Sequence, residues 1–322
     1  MSALKIVHIT PTPLVGAPGK IAWAQLMKGH EAVAVGLSDY PKNGPLAKMF
    51  IDRTLMIDDF TRAHIENNIT RADVIHIHNF LPPDRVDWLR ELNQSASYIY
   101  QAHSPLREGP LYVERSQDYD ILDIKSRLVV GQYAGRMYPE FIPVPNIILS
   151  PPSIRKRKKG ERLRVMFSPT HARSGRWNAK FSATVETTLR ALSKIGKIDV
   201  ISPSQAVAPE ALMEVRRSCH VSIDEIATGA FHQVSLEAIC AGNIAINRAD
   251  YFCKATYASF CDGEMPPFLY ADDSSIADTL LRLAEDWEET ANLQQKSYDF
   301  FQRHCNPLHQ VEVFDAAYQL VH

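Results

Sequence analysis

One pattern constrains this chain more than any other. Short runs rich in β-formers alternate with stretches of helical spacing, and the alternation runs twice. In the first half, Leu4–Ile9 is apolar and β-rich, and Ile21, Ala22, Ala24, Leu26 and Met27 then recur at helical spacing. Ala32–Val35, Val74–Ile77, Tyr98–Tyr100 and Leu128–Val130 read as further strands, with helical stretches near Asp59–Glu66 and Asp84–Leu92. In the second half, strands are expected at Arg164–Phe167, Ile198–Ile201, Val221–Ile223 and Ile244–Ile246. Helices are expected at Ala179–Ser193, Pro209–Arg217 and Gln233–Ala241, with a helical tail from Ser274 to Val321. Strands separated by helices imply βαβ units and parallel sheets.

The alternation breaks at Pro143-Val-Pro-Asn146 and at Pro151-Pro-Ser-Ile-Arg-Lys-Arg-Lys-Lys-Gly160, where proline limits regular structure and consecutive cations repel one another. A division follows: a Rossmann-like domain over 1–150, a basic linker over 151–162, a second Rossmann-like domain over 163–305, and a terminal helix over 306–322. The Arg155–Lys159 run is expected to be mainly a solvated linker face. In sheets of this kind ligands bind outside the carboxyl ends of strands, so the loops after Ile9, Ile77, Tyr100, Phe167 and Ile223 are the ones to watch.

The 35 Lys+Arg against 37 Asp+Glu leave a net charge of −2, so no global field draws nucleic acid to the chain. No apolar run approaches the roughly 18 residues of a membrane span. The five cysteines form no CxxC pair and read as reduced thiols, which places the protein in the cytoplasm.

Four stretches carry candidate chemistry. Gly16-Ala-Pro-Gly-Lys20 is not a P-loop, because Ile21 stands where Ser or Thr is required. It is a Gly/Pro loop running into a helix N-terminus, a place that offers free N–H groups to an anion. His76-Ile-His78-Asn79 ends a strand with both histidines on one face. No third ligand with recognisable spacing accompanies them, so no metal is assigned. His103 follows the next strand, where a near-neutral imidazole can hold a proton or meet a hydroxyl. In the second half Arg173, Arg176 and Lys180 lie in a polar loop suited to a diphosphate. The turn at His232, Gln233 and Val234 opens a helix carrying Glu237, whose carboxylate can accept both hydroxyls of a ribose.

Taken together, this order of residues resembles the GT-B-fold glycosyltransferases, most closely their retaining family-4-like group. Leu236-Glu-Ala-Ile-Cys-Ala-Gly242 resembles that group's LEAxAxG signature. Ser168-Pro-Thr with Arg173 and Lys180 resembles its diphosphate loop, Ala72-Asp-Val-Ile-His-Ile-His-Asn79 its DVVHxHN strand, Gln101-Ala-His103 its xxHD segment, and Val144-Pro-Asn146 its entry to the hinge. The resemblance implies two α/β domains facing across a cleft, a terminal helix over 306–322 that packs back on the first domain, and transfer of a sugar from a nucleotide-diphosphate donor, with retention and without a metal or cofactor. It implies that Glu237 binds the ribose. Arg173, Arg176, Lys180, the Gly16 loop and the His232–Val234 turn would hold the diphosphate. His103 would meet the transferred sugar as the catalytic residue. The group's motif is Glu, seven residues, Glu, yet Gly229 occupies the first of those positions and Glu225 falls four residues too early.

The acceptor is expected to be a glycan, a lipid-linked molecule or a modified nucleic acid, with activity in the cytoplasm or at the inner face of a membrane. Two other readings stay open: a nucleotide-sugar 2-epimerase on the same scaffold, and a non-catalytic sugar-nucleotide-binding protein.

Overall fold

In the computed structural model of the chain, the residues described are 3–42, 44, 46–105, 116–168, 182–203 and 205–320. They divide into two compact units: Met1–Ile147 with Pro307–His322, and Ile148–Asn306. No helix among the described residues is long and apolar enough to cross a membrane.

The first unit is a doubly wound sheet. Its strands are β1 (Lys5–Thr10), β2 (Glu31–Gly36), β3 (Leu55–Met56), β4 (Val74–His78), β5 (Ser97–Ala102), β6 (Ser126–Val130) and β7 (Ile142–Val144). Their order is β3-β2-β1-β4-β5-β6-β7, every pairing parallel. β4 and β5 are buried along their whole length, as strands covered on both faces must be. Helices α1 (Ala17–Met27), α2 (Arg62–Thr70) and α3 (Pro83–Leu92) supply the crossovers, and a short α4 (Ala134–Met137) precedes β7. Proline stands in the first turn of both α1 and α3, where its missing N–H costs nothing.

The second unit has the strands β8 (Leu163–Phe167), β9 (Ile198–Ile201), β10 (Val221–Ile223), β11 (Ile244–Asn247) and β12 (Leu269–Tyr270), ordered β12-β11-β10-β8-β9 and again parallel. Helices α5 (Ala183–Lys194), α6 (Pro209–Arg217), α7 (Gln233–Cys240), α8 (Tyr251–Ala258), α9 (Ile276–Glu285) and α10 (Trp287–His304) surround it. Leu163, Val165, Val221, Ile223, Ile244 and Ile246 form its core with Leu189, Leu280 and Leu283 from the helices. The helix ends follow local chemistry. Ser182 accepts the Val185 N–H at the start of α5, and Asp286 accepts the Glu289 N–H at the start of α10. Glu288 and Glu289 open α10 while Arg303 and His304 close it, each matching the sign of the helix dipole.

After α10 the chain returns to the first unit through α11 (Pro307–Gln310) and α12 (Glu312–Gln319). Asn306-Pro307 is where the sequence breaks the helical tail, and α10 ends at His304. The Phe314 and Tyr318 side chains of α12 are fully buried.

Two features of the second unit go beyond what the sequence shows. Four of the five cations in the basic run, Arg155, Lys156, Lys158 and Lys159, are exposed as a solvated linker face requires, and the fifth is not. Arg157 is only 6% exposed. Its Nη2 donates to the Ala284 carbonyl at 2.7 Å and its Nη1 to the Leu283 carbonyl, and both carbonyls lie in the last turn of α9. The Arg157 guanidinium thus satisfies orphan carbonyls at a helix C-terminus, where a cation also meets the negative end of the dipole. Gln294 fixes the same segment by accepting the Arg157 N–H and donating to the Arg155 carbonyl.

Gly242 has a steric reason to be glycine. It sits at φ +66° just past α7, and a Cβ there would meet the backbone Cα of Ile154 at 2.8 Å. Gly242→Ala should therefore lower the denaturant midpoint by more than the ~1–2 kcal/mol of the left-handed conformation alone. Arg157→Met should cost about 1.5–3 kcal/mol, the range for lost charged hydrogen bonds. Urea unfolding of both variants measures these losses.

Candidate functional site

The first cluster lies in the first unit, at the carboxyl ends of its central strands. Parallel register sets His8 of β1 directly beside His76 of β4. Strand alternation then puts His76 and His78 on one face, and their rings stack at 4.1 Å. His103 follows β5 and completes a row. His8 Nδ1 lies 2.9 Å from His78 Nε2, and His78 Nδ1 lies 2.7 Å from His103 Nε2. At the far end His8 Nε2 is 2.7 Å from Gln25 Oε1, on α1. His76 Nδ1 meets the Tyr318 hydroxyl of α12 at 2.6 Å.

Asn79 fixes the loop geometry. Its backbone takes φ +56°, which Asn tolerates, and its side-chain oxygen accepts the His103 N–H at 2.8 Å. The third histidine that spacing alone did not reveal is His8, sixty-eight residues before His76. Ligand atoms of His8, His76 and His78 lie within 4.8 Å of one another, and all three residues are buried. Hydrogen bonds already occupy both ring nitrogens of His8 and of His78.

Burial decides the protonation of these rings, because an imidazolium there would lose its hydration. It pushes His8 down to about 4, against the raising effect of Gln25. It holds His76 and His78 well below the ordinary histidine value, helped by repulsion from neighbouring rings. It pushes His103 down to about 3, with His8 adding to the effect. The row is neutral at physiological pH.

The Gly16 loop follows β1 on the same unit. Leu14, Val15 and Gly16 have φ +46°, +55° and +77° in succession. A left-handed, β-branched Val15 is strained, and strain of this kind concentrates at binding loops. The loop is held by Gly16 N–H to Pro13 O at 2.8 Å and by Val15 N–H to the Tyr40 hydroxyl at 3.1 Å. Gly19 allows close packing, since a Cβ there would lie 2.7 Å from the Arg53 carbonyl oxygen.

The second cluster lies in the second unit, where β10 runs into α7. Glu237 is partly buried, with Gln233 Nε2 donating to Oε1 at 2.7 Å and Arg216 Nη2 donating to Oε2 at 3.0 Å. Arg216, only 2% exposed, is a partner the sequence did not announce. The α7 N-terminus is partly occupied by the chain itself. Asp224 accepts the His232 N–H at 2.6 Å and the Ser235 hydroxyl at 2.7 Å. Burial alone would raise the Asp224 carboxyl, but His232 and these donors hold it below its ordinary value. The amides of Gln233 and Val234 follow in the first turn, where a helix leaves N–H groups without intrahelical acceptors.

Glu225 does not stand in for the missing first carboxylate. It is buried, and it accepts the Ala227 and Thr228 N–H groups at 2.7 and 2.9 Å, so it braces its own loop. Arg173, Arg176 and Lys180 lie outside the described residues.

No protein-family model matches the chain. A comparison with curated proteins finds no match either. Solved structures do match over almost its whole length. The HepE protein of Anabaena, in complex with UDP, aligns over 98% of this chain and 100% of its own, with a TM-score of 0.60 and 11% identity. The sucrose-phosphate synthase of Thermosynechococcus elongatus aligns over 98% of both chains, with a TM-score of 0.59 and 12% identity. A glycosyltransferase from Rickettsia africae aligns over 99% of both, with a TM-score of 0.52 and 10% identity. This chain therefore has the GT-B fold of glycosyltransferases, with its two Rossmann-like α/β units.

The neutral histidine row has a consequence for stability. In the unfolded chain each histidine binds a proton below about pH 6.5, whereas His8 folded does so only near 4 and His103 only near 3. The unfolded state then holds more protons, so stability falls as pH drops below 6.5, by up to about 1.4 kcal/mol per pH unit for each histidine. Urea titrations at pH 7.5, 6 and 5 should show this decline. A midpoint that stays level over that span would mean the rings charge freely in the folded chain.

Proposed function

We propose that this chain is a glycosyltransferase that moves a sugar from a nucleotide-diphosphate donor to an acceptor hydroxyl. The observation that carries the reading is the GT-B fold combined with Glu237, which sits one turn behind the amides that open α7. An anion seats on such a helix start through N–H groups and the dipole, and a carboxylate one turn on is placed for the ribose next to it. Arg216 and Gln233 hold Glu237 oriented for that contact. A bound UDP is present in the HepE structure, which makes UDP the first donor to try.

In this reading the diphosphate is held by Gln233 and Val234 with His232 beside them, by the Gly16 loop, and by Arg173, Arg176 and Lys180 of the basic loop. His103 meets the transferred sugar. Catalysis is then a matter of holding the reactants in line and absorbing the charge that leaves with the diphosphate. No step asks for a metal or a cofactor. Retention follows from the resemblance to the family-4-like group, although Gly229 brings no carboxylate to the sugar ring. The acceptor is a glycan, a lipid-linked molecule or a modified nucleic acid. The five free, buried cysteines fit a reducing cytoplasm.

A thermal-shift screen with UDP, GDP and their sugars tests the donor site. A ligand at 100 times its Kd should stabilise the chain by about 2.7 kcal/mol. Glu237→Gln should remove about 1.5–3 kcal/mol of binding free energy, so the shift collapses at the same concentration. An unchanged shift takes Glu237 out of the site. In a second assay, nucleotide release from UDP- and GDP-sugars should depend on His103 and fall at least tenfold in His103→Ala. Release of a free epimerised sugar without acceptor would point to a 2-epimerase, and tight binding without turnover against any acceptor to a sensor.

A further inference from the structure

His103 stands at the open end of a hydrogen-bonded chain whose direction is set at the other end. Asp315, on α12, lies 3.4 Å from Gln25 Nε2 and 3.5 Å from His30 Nε2. His30 Nδ1 accepts the Leu4 N–H at 3.1 Å, so a neutral His30 carries its proton on Nε2, facing the carboxylate. Asp315 is thus ringed by donors and acts as the acceptor. Its carboxylate draws the Gln25 amide nitrogen and turns the Gln25 carbonyl oxygen toward His8.

Each following link is then forced. A carbonyl oxygen has no proton, so His8 Nε2, at 2.7 Å, must donate to it. A neutral His8 is then bare at Nδ1, and His78 Nε2 donates to it across 2.9 Å. His78 is bare at Nδ1 in turn, and His103 Nε2 donates to it across 2.7 Å. What remains is His103 Nδ1, a lone pair with no partner among the described residues. The reverse polarity would turn the Gln25 carbonyl against the Asp315 carboxylate in a buried place, where like partial charges are costly. A metal ion among His8, His76 and His78 would first have to break the His8–His78 link.

We propose that Asp315, Gln25, His8 and His78 are positioning residues that hold His103 as its Nε2–H tautomer, so that Nδ1 is a fixed acceptor for a hydroxyl of the transferred sugar. The identity of that hydroxyl rests on the glycosyl-transfer reading; the polarity of the chain does not. A bare, neutral Nδ1 takes a hydroxyl proton and offers nothing to a phosphate oxygen. His103 therefore recognises the sugar and leaves the departing diphosphate to other groups. Asp315 reaches His103 only through three side chains, and it does so from the segment that returns to the first unit after α10.

Long-range proton–nitrogen NMR on the ligand-free full chain, with histidine labelled in ¹⁵N, reads the tautomers directly. His103→Gln assigns the His103 signals. His8, His78 and His103 should each show the Nε2–H pattern as a single tautomer. In Asp315→Asn the carboxamide can offer oxygen or nitrogen, so the direction is lost and His103 becomes a mixture of tautomers; Asp315→Glu restores the single form. For any donor that turns over, kcat/KM of Asp315→Asn should fall in proportion to the lost Nε2–H population. A native His103 in the Nδ1–H form overturns the proposal, as does a folded Asp315→Asn chain that keeps His103 wholly Nε2–H. If that variant fails to fold, the native spectrum decides. Absence of turnover with the native tautomers intact would sink the glycosyl-transfer reading and leave the chain standing.

Discussion

The first unit depends on a buried row of imidazoles that must remain neutral. A histidine with no access to water keeps its place only if its ring nitrogens find partners, since an unpaired buried polar group costs about 1–3 kcal/mol. His8 and His78 meet this demand at both ring nitrogens, through the contacts that run from His103 to Gln25. That constraint explains the surroundings. β1 and β4 must run parallel in this register to set His8 against His76. Asn79 must take a left-handed turn to bring the His103 amide within reach. α12 must return to the first unit to supply Tyr318 and Asp315.

The second unit satisfies a comparable demand with charges. Arg157 is placed on the carbonyls that end α9, and Arg216 is placed on Glu237. Both guanidiniums are nearly buried, and each gains acceptors in fixed geometry for the hydration it loses. Asp224 fills part of the α7 start by accepting the His232 N–H. Buried polar groups therefore define the candidate cluster within each unit, and the apolar core of that unit holds them in place.

Much of this is legible in the residues alone. The doubled alternation implies two parallel sheets, and the helices opened by Pro83 and Pro209 begin where those prolines place them. Short edge strands are not legible. β3 and β12 have two residues each, too few to carry a periodicity, and they exist because a neighbouring strand offers them a ladder. The helix expected near Asp59–Glu66 forms over Arg62–Thr70, because Asp58 and Thr61 bond to each other in the turn ahead of it. In the basic run only Arg157 escapes such a reading, for a physical reason. Charge density marks repulsion along the chain, but it does not reveal that one of five cations finds carbonyls more than a hundred residues away.

Local chemistry, then, was set by sequence: which stretches become strands, where proline and glycine interrupt them, that His76 and His78 share a strand face with His103 just past the next strand, and that Glu237 falls one turn into a helix. Periodicity and caps act over a few residues, so a linear reading reaches them. The tertiary structure alone decided the company each side chain keeps. His8 meets His78 across 70 residues, Gln25 meets Asp315 across 290, and Arg216 meets Glu237 from a different helix. Such pairings depend on strand order, register and the path of the returning helix, and no local pattern in the sequence encodes them.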